Sequence, residues 1–134
     1  MDRHPARSPW ALPTGVAAAI LLASVVPLPG DGMEPAPGPF GVDAWLHVVG
    51  YAALAASLSR AVSTAGHGTV VAIAVAVAAA VGFGVGIELL QTVVPTRGFA
   101  WSDVAADAVG SAIGGTGWWR SRRRFTDRGG SEHR

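Results

Sequence analysis

The chain has 134 residues, of which 50% are apolar and only 14% are charged. A soluble domain typically carries about 25% charged residues, so this composition disfavours a soluble helical protein with an alanine-rich core. The chain has no cysteine, which excludes disulfides, thiolate catalysis and thiolate metal sites.

Four apolar segments, each near the length of about 20 residues that spans a bilayer, predict an all-α integral membrane bundle of four transmembrane helices. The segments are residues 10–28, 44–59, 69–94 and 103–119. Residues 1–9 and 120–134 are a polar N-terminal tail and a basic C-terminal tail. The first segment could instead be a signal peptide, but its length and the lack of a small-x-small cleavage site favour a span.

Local signals set the predicted segment ends. Prolines and glycines between residues 29 and 42 forbid a helix there, and residues 60–68 form a second loop. Pro95 ends the third segment. Asp43 is the expected N-cap of the second segment, and Asp103 or the serine before it caps the fourth.

The arginines predict the orientation of the bundle. The two termini and the second loop hold nearly all of them, and the first loop holds none. Positive charge favours the cytoplasmic side of short loops, so we expect a multi-pass protein of the cell membrane with both termini in the cytoplasm. The arginines after Trp119 favour an anchor to anionic lipid over a nucleic-acid site.

Ionisable and polar side chains lie at similar depths on three of the four segments. At a rise of about 1.5 Å per residue, all of them fall toward the outward face. They are Asp43, His47 and Tyr51 on the second segment, Glu88 and Gln91 on the third, and Asp103 and Asp107 on the fourth. Ionisable groups inside a span are expensive and mark a functional site by default. No polar residues were expected to line the inward half, which makes a proton or ion path the weakest interpretation.

Two small-xxx-small pairs predict a close contact between the third and fourth segments. They are Gly82 with Gly86, and Gly110 with Gly114. Such pairs allow two backbones to approach closely in a bilayer, so we expect an antiparallel hairpin of these segments.

Two stretches carry a resemblance to a known family. The stretch DAWLHVVGYAAL, residues 43–54, resembles the D-x-x-x-H-x-x-x-Y-x-x-L signature of the VanZ-like membrane proteins. The stretch GIELLQTVVPTRGFAWSDVAADAVGSAIG, residues 86–114, resembles their E-L-x-Q … P-x-R … D-x-x-x-N-x-x-G signature. One departure is Asp107, which stands where the family usually shows asparagine.

The resemblance implies a small multi-spanning membrane protein and brings no settled biochemical activity. The family is named after an accessory protein associated with resistance to the glycopeptide teicoplanin. A role in antibiotic or envelope-stress resistance is therefore an expectation attached to the family, and it is not transferred to this chain through the name.

His47, Glu88 and Asp107 are the catalytic candidates, since each could move a proton within the site. Each has a structural alternative: His47 could be a helix-packing histidine, and Glu88 could form a buried salt bridge with Arg97. Asp107 lies too deep to be a helix cap. Whether the chain is an enzyme is left open.

The remaining site residues are candidates for binding. Arg97 could hold an anionic head group with its planar fork or pair with a carboxylate, and Asp103 could cap its helix. Tyr51, Gln91 and Asp43 complete the binding set. One imidazole with several carboxylates suits a divalent ion, but there is no second intramembrane histidine and no H-E-x-x-H spacing, so we predict no metal and no cofactor.

Two functions from different classes follow. The first is an outward-facing polar site that binds or acts on a membrane lipid or a lipid-linked envelope precursor. The second is a non-enzymatic membrane partner or structural subunit whose polar cluster holds the helices together. Association of this chain with itself is left open.

Overall fold

The computed structural model of the chain describes residues 8–25, 42–94 and 97–129. Within these ranges the chain is all-helical and has no strand, which confirms the predicted all-α class. The structure has four helices: α1 (Ala11–Val25), α2 (Val42–Thr64), α3 (Thr69–Gln91) and α4 (Trp101–Gly129).

Both helices that were expected to end at the arginines run through them instead. α2 continues to Thr64, so the prediction that a loop begins at Arg60 is wrong. α4 continues ten residues beyond Trp119, to Gly129. The arginine-rich segment after Trp119 therefore begins as a helix, because arginine is a good helix former. Residues 130–134 lie outside the described residues.

The starts and stops of the helices also differ from the predicted caps. α2 begins at Val42 and α4 at Trp101, so Asp43 and Asp103 lie inside the first turns and are not the N-cap residues. There their charges still oppose the positive ends of the helix dipoles. α3 ends at Gln91, before Pro95, which lies outside the described residues together with the predicted first loop.

α2 and α4 lie side by side and run parallel. His47 contacts Asp107, Gly110 packs on the backbone of Val48, and Gly114 packs on the backbone of Ala52. In these contacts, later residues of α2 meet later residues of α4, so the two helices run in the same direction. The first turns of both helices therefore meet at one end of the bundle, called here the acidic end because it carries Asp43 and Asp103.

α3 and α4 pack antiparallel, as predicted, but the glycine pairs do not make this contact, so the role predicted for them is wrong. A Cβ added at Gly110 or Gly114 would overlap the backbone of α2. Gly82 and Gly86 on α3 are exposed, and an added Cβ there meets nothing within 4 Å. Glycine spacing identifies the close-packing face of a helix, but it does not say which neighbour that face contacts.

α3 runs antiparallel to the α2–α4 pair, and α1 completes the bundle. A Cβ at Gly115 on α4 would lie 3.1 Å from Ile73 Cγ2, near the start of α3, whereas Gly84, farther along α3, faces Asp107 near the start of α4. α1 packs on α2 where Ile20 faces Gly50. The other end of the bundle, which carries Arg60 and Arg122, is called here the basic end.

The burial pattern differs from that of a typical water-soluble protein, because carboxylates are buried alongside apolar residues such as Leu54 and Ile87. The largest fully buried side chains all carry a hydroxyl or a carboxyl group; they are Tyr51, Glu88, Asp107, Ser59 and Ser111. Large apolar side chains on the bundle surface are exposed, for example Val70 (80%) and Trp45 (60%). Soluble proteins bury aliphatic side chains and almost never fully bury carboxylates.

α3 is long and apolar enough to cross a membrane. It has 23 residues, and only 28% of its apolar window is buried within the protein. A core helix of a soluble protein would be mostly buried, so the exposure of α3 favours contact with lipid. α1 is apolar but shorter, with 15 described helical residues.

Candidate functional site

The centre of the site is a hydrogen-bonded pair between α2 and α4. His47 Nδ1 lies 2.8 Å from Asp107 Oδ1. Asp107 is fully buried, whereas 14% of the His47 side chain is exposed. With Asp107 ionised, its carboxylate can only accept, and Nδ1 is therefore assigned the proton in this contact. The bond fixes the plane of the ring and leaves Nε2 directed elsewhere.

Aromatic packing holds the ring from the side of the bundle interior. The Tyr51 ring stacks on His47, with ring centroids 6.1 Å apart and an interplanar angle of 6°. Tyr51 is one helical turn after His47, so the two side chains share a face of α2. Phe83 from α3 packs on the other side of Tyr51, at 6.4 Å between centroids. The imidazole therefore has a fixed orientation before any ligand arrives.

Gly84 provides the space for the Asp107 carboxylate. A Cβ at this position would overlap Asp107 Oδ2 and come within 3.1 Å of Tyr51 Cε1. Asp107 Oδ2 and the Tyr51 hydroxyl are both buried without a hydrogen-bond partner among the described residues. Gly84 carries no signal of its own in the sequence, because it lies between the two glycines of the spaced pair on α3.

The free edge of the imidazole faces the acidic end. His47 Nε2 is 3.8 Å from Asp103 Oδ2, too far for a hydrogen bond. Asp43 lies one turn before His47, and one ligand atom from each of Asp43, His47 and Asp103 lies within 4.8 Å of the others. The Asp103 Oδ1 atom accepts a hydrogen bond from the Ser102 hydroxyl at 3.1 Å. Two carboxylates and one imidazole nitrogen thus converge at the surface.

Glu88 has a different environment, although it is also fully buried. The backbone N–H of Ala100 donates to Glu88 Oε2 at 2.7 Å. This bond ties the end of α3 to the residue that precedes α4, and it satisfies one of the free N–H groups at a helix start. Glu88 therefore fixes the connection between the two helices.

Gln91 and Arg97 extend the Glu88 contact. With its amide nitrogen toward Glu88, Gln91 donates to Glu88 Oε1 at 3.2 Å and accepts from Arg97 Nη1 at 3.3 Å. This amide orientation is assigned because it gives both atoms a complementary partner. Arg97 is half-buried in this network. The sequence left open a buried salt bridge between Glu88 and Arg97. In the structure the two side chains are linked through Gln91, which lies between the carboxylate and the guanidinium.

A groove of about 710 Å³ runs along the surface between α2 and α4. Its walls are mostly apolar and include Trp45, Val48, Val109 and Ile113. One end of it is polar, because Asp43, Ser102 and Asp103 also line it. The groove therefore changes from apolar to acidic along its length, and it reaches the acidic end beside His47.

The predicted site residues thus fall into two groups. His47, Asp107, Tyr51, Asp43 and Asp103 come together between α2 and α4. The second group, Glu88, Gln91 and Arg97, joins α3 to the start of α4. Glu88 and Asp107 are both fully buried, so neither carboxylate itself reaches the surface.

Polar groups also occupy the half of the bundle toward the basic end, where none were expected. Ser59 on α2 and Ser111 on α4 are fully buried, and neither hydroxyl has a hydrogen-bond partner among the described residues. Near the basic end, Arg122 donates to the Ser63 hydroxyl. The premise that this half is purely apolar is therefore wrong; serine was overlooked because it does not interrupt an apolar run.

Comparison of the chain with protein-family models, with curated proteins and with solved structures finds no match. The likeness to the VanZ-like proteins therefore rests on the two sequence motifs.

Proposed function

We propose that this chain is a VanZ-like, multi-pass protein of the cell membrane that binds a membrane lipid or a lipid-linked envelope precursor in the groove between α2 and α4. The observation that carries the proposal is the groove itself, which is apolar along its walls and acidic at one end. An amphiphile has the same division between chain and head group. In this proposal the binding of such a lipid would contribute to envelope-stress or glycopeptide resistance.

In this proposal all four helices are spans, although among the described helices only α3 is long and apolar enough to cross a membrane on its own. α2 and α3 have 23 residues each, which at about 1.5 Å per residue is close to the thickness of the hydrocarbon core of about 30 Å. The five tryptophans lie toward the two ends of the bundle: Trp45 and Trp101 toward the acidic end, and Trp10, Trp118 and Trp119 toward the basic end. Tryptophan is enriched at both membrane interfaces.

The charges support the proposed orientation. The arginines of α2 and of the end of α4 all lie at the basic end, where Arg122 and Arg123 also stack on Trp118 and Trp119. The acidic end carries carboxylates on both of its helix starts. Since positive charge favours the cytoplasm, the basic end and both termini are cytoplasmic in this proposal, and the site faces outward.

The pair of His47 and Asp107 gives the site a chemical capability. A carboxylate that orients an imidazole through Nδ1 leaves Nε2 as a general base or ligand. Nε2 lies at the acidic end, where the head group of an amphiphile in the groove would reach. Glu88 and Arg97 act in the adjacent connection, so in this proposal they shape the site and do not contact the head group.

The test is to block the groove without disturbing the cluster. Ala105 lines the groove and is exposed, so Ala105→Phe fills space without an internal clash. Ala79→Phe on the exposed surface of α3 is the matched control. The full chain is purified gently, and its retained lipid is identified and quantified by mass spectrometry. We expect a specific lipid class to be lost from the groove variant alone; equal lipid in both variants would refute the proposal.

A structural role is the second candidate, and the bond from Ala100 to Glu88 favours it. A fully buried carboxylate on a backbone amide ties two helices together without any ligand. If the whole cluster has this role, neutral substitutions at His47 and Asp107 will change the stability of the protein in detergent and leave its lipid content unchanged.

A further inference from the structure

The acidic end places two hydrogen-bond acceptors opposite each other. Asp107 Oδ1 accepts a hydrogen bond from Nδ1–H, so the neutral ring presents the lone pair of Nε2. This nitrogen points toward the Asp103 carboxylate, 3.8 Å away, with Asp43 close by. The Nε2 lone pair and the carboxylate oxygens repel each other unless a positive charge lies between them. That charge is either a proton on the ring or a metal ion.

We propose that Asp43, His47 and Asp103 bind a divalent transition-metal ion, such as Zn²⁺ or Mn²⁺. Imidazole nitrogen suits the first-row transition metals, and carboxylate oxygen binds the same ions. The three ligand atoms lie within 4.8 Å of one another, a span that one ion at about 2.0–2.2 Å from each ligand closes by small side-chain rotations. Three protein ligands leave at least one coordination position open, as in catalytic metal sites.

The buried carboxylate behind the ring is the second observation that points to a metal. Metal-binding histidines almost always donate their other ring N–H to a carboxylate, a carbonyl or water, which fixes the tautomer and raises ligand basicity. Asp107 makes this contact at 2.8 Å and is fully buried. It is therefore a positioning residue, which acts on the ion through His47.

Helix-dipole compensation accounts for only part of the cluster. It explains why Asp43 and Asp103 lie in the first turns of two parallel helices. It does not explain the imidazole that is fixed between them with its free nitrogen toward the same point. The metal site accounts for all three side chains at once.

The ion also resolves a conflict of charge at the groove, a step that rests on the proposed function. The polar end of the groove carries Asp43 and Asp103, which repel a phosphate head group. A divalent ion with an open position neutralises the carboxylates and binds phosphate oxygen directly. The amphiphile we infer for the groove is thus a phosphate-bearing lipid held through the metal.

The experiment measures metal binding by the full chain, purified in a non-ionic detergent without a polyhistidine tag. The background carries His4→Gln, His67→Gln and His133→Gln, so that His47 is the remaining histidine. Zn²⁺ is titrated by calorimetry, with Mg²⁺ for comparison. We expect one Zn²⁺ per chain and markedly weaker Mg²⁺ binding, because Mg²⁺ prefers oxygen ligands and retains its waters.

Single variants then assign the ligands. We expect His47→Gln and Asp103→Asn each to weaken Zn²⁺ binding at least ~10-fold, and Asp107→Asn to weaken it by about 10–100-fold, the usual effect of removing an outer partner. Asp43→Asn changes an exposed side chain at a helix start, so we expect this variant to fold. It therefore tests the site even if His47→Gln does not fold. Zn²⁺ affinity unchanged by Asp43→Asn and Asp103→Asn would overturn the site.

Two further measurements separate this proposal from the lipid proposal. Ala105→Phe is expected to lose lipid and retain Zn²⁺ affinity, because it fills the groove beside the ligands. Chelation of the wild-type protein is expected to release a phosphate-bearing lipid. Retention of that lipid after complete removal of Zn²⁺ would overturn the link between metal and head group, while the titration still decides the metal site itself.

Discussion

Two buried carboxylates lie at the same end of the bundle and have different partners. Glu88 and Asp107 are both fully buried. Glu88 accepts from a backbone N–H that any residue except proline would supply at that position. Asp107 accepts from a histidine ring whose other nitrogen reaches the surface. The Glu88 carboxylate ties the end of α3 to the start of α4. The Asp107 carboxylate controls a side chain that is available to a ligand.

The comparison shows that burial of a charged group does not by itself indicate function. Any buried carboxylate has to be compensated by hydrogen bonds or by charge. What distinguishes the two is whether the compensating partner has a second, accessible functional atom. The predictions below test this distinction, beginning with the region around Asp107.

The largest expected effect comes from removing the partner of Asp107. His47→Ala leaves a fully buried carboxylate without its hydrogen bond, and leaving a buried charge uncompensated costs about 3 kcal/mol. Thermal unfolding in detergent measures the loss. The double variant His47→Ala/Asp107→Leu is expected to recover most of it, because apolar replacement of both partners removes the buried charge. A single variant as stable as the wild type would show that the pair is not formed.

An intermediate effect is expected from the α2–α4 contact that holds the pair. Gly114→Ala places a Cβ against the backbone of Ala52, and overpacking of this kind costs about 1–3 kcal/mol. Gly86→Ala is the matched control on α3, where a Cβ meets nothing, and we expect it to be neutral or slightly stabilising. The same unfolding assay compares them. Equal destabilisation by both variants would contradict the packing of Gly114 on α2 and favour the contact between glycine pairs that the spacing predicted.

The smallest effect is expected at the other carboxylate. Glu88→Gln retains an oxygen that accepts from Ala100, so we expect a loss of less than about 1 kcal/mol and an unchanged lipid content. As a catalytic candidate Glu88 would have to transfer a proton, which an amide in its place cannot do. Loss of lipid binding in a normally folded Glu88→Gln protein would place Glu88 in the functional site after all. Glu88→Leu, which removes the acceptor, is the comparison for stability.

Periodicity in the sequence was sufficient to place side chains on faces of helices. His47 and Tyr51 are one turn apart, and the structure stacks their rings. Asp107 was recognised because an ionisable group one turn inside a helix is not a cap. These inferences need only the geometry of one helix, which local sequence determines.

The identity of the neighbouring helix was beyond the sequence. Gly110 and Gly114 were assigned to α3 because it precedes α4 in the chain, but they contact α2. Partner choice depends on how all four helices pack together, and a spacing pattern within one helix does not contain that information. For the same reason Gly84, which accommodates the Asp107 carboxylate, carried no recognisable signal.

The parallel pairing of α2 with α4 has a consequence for biosynthesis. The residues of the central hydrogen bond are separated by 60 positions, so the bond forms only after α3 and the start of α4 have been made. Until then the polar face of α2, with His47 and Tyr51, has no α4 to contact, and the growing chain exposes it. Completion of the site is therefore a late event, and a chain that stops within α3 lacks both the carboxylate behind the ring and the glycine surface that covers the backbone of α2.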